Sequence, residues 1–327
     1  ATDNSPQSIY PLLQNNLDKL DDNFAQILAA WTRQQFNQIE PKDAEFMAKK
    51  VGEFSKLIQG FNLGDIAINK EIAIAGYQAV DTVLTQSDFP QKWATIENNL
   101  ANAYSNRIRG NRAENLEVAI AHYHNALLVY TQSDYPKYWA MTQYNLANVY
   151  SERIRGNRAE NLEAAIAHYH NALLVYTQSD FFQYWAGTQN NLANAYSNRI
   201  HGDRAENLEA AIAHYHNALL FYTQSDYPKY WAMTQYNLAN VYSERIRGNR
   251  AENLEVMITH YQNALLVRTQ SDFPQDWAMT QNNLANAYLY RIHGDRAENL
   301  EAAIAHYHKA LLVYTQSNFP QNWAAIH

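Results

Sequence analysis

The sequence predicts an all-α protein, a solenoid of antiparallel helix pairs, and three observations carry that expectation. Six of the seven tryptophans, Trp93, Trp139, Trp185, Trp231, Trp277 and Trp323, stand 46 residues apart. Their surroundings return with them, so that Trp139-Ala-Met-Thr-Gln-Tyr-Asn-Leu-Ala-Asn reappears at Trp231. Within each unit the apolar residues fall at helical spacing in two runs separated by a glycine. A fixed period of this size marks a stacked repeat protein, whose units bury their apolar faces only against one another.

Residues 1–41 read as an N-terminal cap. Ser5-Pro6 opens a long helical pattern of Tyr10, Leu13, Leu17, Leu20, Phe24, Leu28 and Trp31, which would cover the bare face of the first unit. Residues 42–88 read as a degenerate unit. Gly64-Asp65 lies 46 residues before Gly110-Asn111, and a first helix of roughly Asp43 to Gln59 puts Met47 at the tryptophan position. Five full units follow over 89–318, and 319–327 start a truncated further one. In the type unit Trp139, Thr142, Gln143, Leu146, Tyr150 and Ile154 form one stripe. Gly156 is the expected left-handed break. Asn157-Arg-Ala-Glu160 reads as a capping box, with a helix start nearer Asn161 as the alternative. Leu162, Ile166, Tyr169, Ala172, Leu173 and Tyr176 form the stripe of the second helix. Asp134-Tyr135-Pro136 then places proline in the first turn of the next helix, a position where one unit has Phe182 instead. Residues 130–163 are identical to 222–255, so units alternate between two surface types. The start at Ala1 and the end at His327, just after Trp323, read as a piece of a longer chain with an uncapped last face, where Trp323–His327 should fray and weak self-association could occur.

Composition excludes several classes. With 47% hydrophobic and 17% charged residues the chain is ordered, and its net charge of −7 argues against a nucleic-acid partner. There are no cysteines, no apolar run long enough for a membrane span and no signal-peptide pattern, so the expectation is cytoplasmic, with no membrane partner. No phosphate-binding glycine loop, nucleophile elbow or Cys/His pair appears. The expected protein is not an enzyme and carries no cofactor or metal.

Leu146-Ala147-Asn148-Val149-Tyr150 followed by Ala165-Ile166-Ala167-His168-Tyr169-His170-Asn171-Ala172-Leu173 resembles the tetratricopeptide pattern of Leu-small-x-x-Tyr and then Ala-x-x-x-aromatic-x-x-Ala. Such units are typically about 34 residues long, and the extra length here sits in connections and helix ends. The long form with Arg-Ile-Arg-Gly-Asn-Arg-Ala-Glu-Asn-Leu-Glu is similar to repeats of cyanobacterial proteins that often end in a caspase-like CHAT protease domain. The resemblance implies a right-handed superhelix, a scaffold for protein binding and a concave groove lined by the first helices. It also implies that the array can be the sensor arm of a larger protein.

Paired asparagines flank the first-helix leucine in each unit: Asn99 and Asn102, Asn145 and Asn148, Asn191 and Asn194, Asn237 and Asn240, Asn283 and Asn286. On the groove face that the resemblance implies, a carboxamide offers both donor and acceptor to a peptide backbone. The competing reading is hydrogen bonding between neighbouring helices. Met141, Tyr144, Met233 and Tyr236 are expected beside them as adaptable, partly apolar contacts. No lysine or arginine occupies these positions, so a carboxylate clamp is not expected. Arg153, Arg155 and Arg158, with their equivalents in other units, should pair with Glu160 and Glu163 along one edge, the alternative being a basic rim for acidic partners or nucleic acid. His168 and His170 point to nearly opposite sides of their helix, cannot chelate one ion, and are expected on its surface. The tryptophans and tyrosines are expected in the core. The function expected is capture of an extended peptide segment of a partner protein, with a self-assembling structural array as the alternative.

Overall fold

The computed structural model describes residues 5–326, with the backbone alone at 41 and 42, and its elements are helices joined by short turns. They run α1 (Pro6–Gln14), a 3-10 turn (Leu17–Lys19), α2 (Asp22–Phe36), α3 (Pro41–Gln59), α4 (Ile66–Asp81), α5 (Pro90–Ser105), α6 (Arg112–Leu127), α7 (Pro136–Glu152) and α8 (Arg158–Leu173). Then come α9 (Phe182–Ser197), α10 (Arg204–Leu219), α11 (Pro228–Glu244), α12 (Arg250–Leu265), α13 (Pro274–Leu289), α14 (Arg296–Leu311) and α15 (Pro320–Ile326). Successive helices pack as repeated pairs, the arrangement of an α solenoid. The contacts divide the chain into two compact units, Ala1–Val175 and Tyr176–His327, described separately below.

In the first unit the long N-terminal pattern is not one helix. The chain turns between α1 and α2, where the Asp21 carboxylate caps α2 by accepting from the Phe24 amide at 2.7 Å. Helix α2 packs on α4, as does α3, around a core that includes Ala48, Ile58, Ile72 and Tyr77. The pairs α5/α6 and α7/α8 follow. The second unit contains the pairs α9/α10, α11/α12 and α13/α14, with α15 after them. Against the expectation of fraying, α15 is helical, and Phe319 and Ile326 rest on the cluster of Ala278, Ala310 and Tyr314. His327 lies outside the described residues.

The turn within each pair explains why the period is so strict. Gly156 has φ +81 and Gly248 φ +82, a conformation costly for any residue with a side chain. The next residue caps the second helix: Asn157 accepts from the Ala159 and Glu160 amides, which places the helix start at Arg158 rather than near Asn161. Four residues after the cap sits a buried asparagine, such as Asn253 at 3% exposure. It donates to the Arg247 carbonyl at 2.9 Å and accepts from Arg245 Nη1 at 3.2 Å. Arg245 in turn grips Glu209 of the preceding pair with Nε and Nη2 at 2.7 and 2.9 Å. Arg153 does the same to Glu117 in the first unit. The edge charges therefore do pair, but between neighbouring repeats rather than within one. This couples these turns to the previous helix pair, so an inserted or deleted residue would break the grip.

Burial corrects two sequence expectations. Trp93, Trp139, Trp185, Trp231, Trp277 and Trp323 are half-buried, because each sits in the first turn of its helix at the margin of the stack. The following alanine is what disappears from solvent, as at Ala140 and Ala186. The large side chains that are fully buried are tyrosines, among them Tyr123, Tyr169 and Tyr215. Ile154 does not continue the stripe; it stands in the turn at 62% exposure.

Two departures from the repeat are paired substitutions. Where the other units have proline, Phe182 packs edge-on against Phe221 at 4.7 Å, and the N-cap Phe181 takes φ +62. Tyr222 stacks on Tyr230 at 5.1 Å, but 46 residues later the same two positions are Arg268 and Asp276. Arg268 is buried at 7% exposure, donates to Thr280 Oγ1 at 3.1 Å and lies 4.4 Å from the Tyr236 ring centre. Burial pulls its pKa down while the nearby Asp276 charge supports it. Asp276 is half-buried and does not bridge Arg268, so the buried guanidinium is only partly compensated, and exchanging buried charge for well-packed residues is often neutral to stabilising by about 1–4 kcal/mol. The double change Arg268→Tyr with Asp276→Tyr should therefore raise the denaturation midpoint. A clear fall in equilibrium denaturation would show that Arg268, with its Thr280 and Tyr236 contacts, stabilises this unit better than the tyrosine stack.

Candidate functional site: an asparagine-lined groove

In the second unit, Asn194, Asn237, Asn240, Asn283 and Asn286 line one groove of about 550 Å³. They come from three first helices, α9, α11 and α13, at the same helical position in each, which is how the 46-residue period becomes a ladder in space.

The carboxamides are not fully free. All ten asparagines of the ladder are half-buried rather than solvent-facing. Tyr261 donates its hydroxyl to Asn240 Oδ1 at 2.6 Å, Tyr307 to Asn286 Oδ1 at 2.6 Å, and Tyr215 to Asn194 Oδ1. In the first unit Tyr123 binds Asn102 and Tyr169 binds Asn148 in the same way. Burial pushes the phenols of Tyr123, Tyr215 and Tyr261 well up, so they remain protonated donors. The first asparagine of the next unit joins the chain: Asn237 Nδ2 donates to Asn194 Oδ1 at 3.3 Å, and Asn145 Nδ2 to Asn102 Oδ1 at 3.2 Å. Asn283 Nδ2 donates to the Tyr236 hydroxyl at 2.9 Å. Asn191 Oδ1 accepts from Asn190, and Asn99 is half-buried on α5.

This bonding orients the ladder. Asn194, Asn240 and Asn286 commit Oδ1 inside the stack, and the Asn240 carboxamide also meets the Tyr236 hydroxyl, so Asn194 and Asn286 are the ones that can offer a ligand the donor Nδ2. Asn237 commits Nδ2 and can offer the acceptor Oδ1. A groove that alternates donors and acceptors matches the alternating C=O and N–H groups of an extended backbone. Helix–helix bonding and ligand binding are thus compatible, since they use opposite ends of one carboxamide.

The expected apolar neighbours are placed differently. Tyr236 is buried at 9% exposure beneath Arg268, and neither it nor Met233 lines the groove. Met141 and Tyr144 are half-buried in the first unit, the Tyr144 ring lying 6.1 Å from that of Tyr169. The groove draws instead on second helices, with Arg204, Tyr215, Arg250, Met257 and Tyr261 on its wall. Sequence reasoning confined the groove to first helices and read the arginines only as a rim at the turn. The readable signal was the residue that alternates 46 positions apart, Asn198, Glu244 and Tyr290, all of which line the groove.

Among the described residues no group of three or more His, Asp or Glu side chains could hold an ion. His168 is not on the surface as expected. It is half-buried, stacks on Tyr150 at 5.4 Å and meets Gln143 Oε1 with Nδ1 at 2.6 Å, while His170 is exposed. No described helix is long and apolar enough to cross a membrane.

No family model and no curated protein matches the chain. Among solved structures it is similar to the crystal structure of BtubC (BKLC) from P. vanneervenii, at 14% identity and a TM-score of 0.44, covering 86% of this chain and 93% of that one. The repeated helix pairs fit a tetratricopeptide-like helical repeat. That rests on the packing described above.

Proposed function

We propose that this chain is a protein-interaction scaffold whose groove holds an extended peptide segment of a partner. The observation that carries the reading is the alignment of Asn194, Asn237, Asn240, Asn283 and Asn286 in one groove, with donor and acceptor ends left toward a ligand. Contacts to backbone groups make such a ladder tolerant of peptide sequence, so selectivity must come from the groove walls. A role as the sensor arm of a larger protein is supported only by the resemblance of the turn repeats.

The test is selection of peptides from a random 12-residue display library on the full chain. Parent protein should enrich binders. The triple variant Asn237→Ala, Asn240→Ala and Asn286→Ala should lose most of them, at about 1–3 kcal/mol for each backbone group left unpaired. Helical circular dichroism should persist. Equal recovery by parent and variant would mean that the ladder is purely structural.

A further inference from the structure

The lining of the groove carries an excess of positive charge. Its charged lining residues are Arg204, Glu244 and Arg250, two cations against one anion, in a chain whose net charge is −7. Arg204 and Arg250 are equivalent, 46 residues apart, each at the first position of a second helix. Each donates Nη1 to a serine carbonyl at the end of the preceding first helix, Ser197 for Arg204 at 2.6 Å and Ser243 for Arg250 at 2.7 Å. That bond aims both guanidinium groups along the same groove wall.

Their other nitrogens differ. Arg204 Nη2 is taken by the Glu244 carboxylate. The residue equivalent to Glu244 in the next repeat is Tyr290, so the acidic partner is missing by sequence. Among the described residues no carboxylate lies within salt-bridge distance of Arg250, and the side chain is exposed. One fork of an identical pair is closed by an internal carboxylate, and the other is open on the same groove.

We propose that Arg250 reads an acidic side chain, Asp or Glu, of the bound peptide, and that Glu244 shows by its bond to Arg204 the carboxylate chemistry the ligand supplies. Arginine presents a planar donor fork that takes a carboxylate bidentately, whereas the asparagine ladder reads only backbone. The groove thus combines sequence-tolerant capture with one charge-selective position. Net positive charge at the site in an acidic protein also favours an acidic segment over a basic one. This inference rests on the peptide-groove reading.

The same display selection separates the two, with a library fused through its C-terminus so that only side chains supply carboxylates. On parent protein, enriched peptides should align with Asp or Glu at one fixed position. A synthetic peptide from that set, acetylated and amidated, should lose about ten- to a hundredfold in affinity when its acid is changed to the amide. Arg250→Ala should abolish the acidic preference. So should Tyr290→Glu, which installs the internal carboxylate that Arg204 already has and leaves the arginine intact. Glu244→Tyr should create a second acid-selecting position at Arg204. If parent enriches peptides with no acidic position, or the preference survives both Arg250→Ala and Tyr290→Glu, the inference is wrong while the groove stands. If parent enriches nothing, the groove reading itself fails and this one with it.

Discussion

Acidification from pH 7.5 to 4.5 should destabilise the array by several kcal/mol, well before its carboxylates are protonated. His168, His260 and His306 are each held at a pKa of about 4, first by burial and then by a nearby cation, His124, His216 and Lys309 respectively. Each stacks on a tyrosine, Tyr150, Tyr242 or Tyr288, with Nδ1 on a glutamine Oε1. The native state keeps these rings neutral, while the unfolded chain takes up protons below its ordinary histidine value of about 6.5. Stability is therefore full above pH 6.5, falls as the pH drops toward 4, and levels once the folded rings protonate. The displacement corresponds to at most about 3 kcal/mol per histidine, less what residual water recovers. Asp81 acts in the opposite sense, being raised to about 6 mainly by burial and next by Glu97, but it is one group against three. Below about pH 4.5 a second loss begins. Arg153, Arg245 and Arg291 hold Glu117, Glu209 and Glu255 below the usual carboxylate range, and that stabilisation disappears as those groups protonate. Thermal melts at half-unit pH steps check the first window. The triple variant His168→Phe, His260→Phe and His306→Phe keeps the ring stacks and should flatten the curve between pH 6.5 and 4. A parent melting temperature that is constant across that window would show that the rings titrate normally in the fold.

Tyr215→Ala should cost about 3–5 kcal/mol, the usual range for removing a large core aromatic. Tyr215 is 1% exposed in the cluster with Leu208, Ala211, Leu238 and Met257, and its hydroxyl holds Asn194. Trp185→Ala, at a half-buried site, should cost less than that. Tyr215→Phe keeps the ring and removes the hydroxyl's bonds to Asn194 and the Ser197 side chain, at about 0.5–1.5 kcal/mol each. Because the bond to Asn194 orients the carboxamide, Tyr215→Phe should weaken peptide binding more than its small effect on stability suggests. Denaturant titration of the three variants gives the ranking. A costlier Trp185→Ala would restore the tryptophans as the core. Because a weakened central pair can split the array, the Tyr215→Ala transition should also broaden.

The site was legible in part. The asparagine positions could be placed on one helical face from spacing alone, because the helical period and the 46-residue repeat are both readable. Which end of each carboxamide is committed was not, since that depends on a tyrosine 21 residues away in sequence, as Tyr261 is from Asn240. Arg204 and Arg250, the equivalents of Arg158, were read as a charged rim at the turn and not as a groove wall, because they lie on the other helix of the pair. Tyr236 was assigned to the groove by its neighbours in sequence, yet Arg268, just after the second helix of the same pair, covers it.

The sequence by itself determined the helical class, the turn within each pair and the repeat. Those are local consequences of periodic apolar residues, a capping side chain at Asn157 and a glycine that can take φ +81 at Gly156. Only the tertiary structure decided that tyrosines rather than tryptophans fill the core, that Arg245 pairs with Glu209 of the preceding repeat, and that Arg250 is left open where Arg204 is closed. Burial and ion pairing depend on which repeats meet at a given height of the stack. That is set by the twist from one helix pair to the next, which no spacing within a single unit encodes.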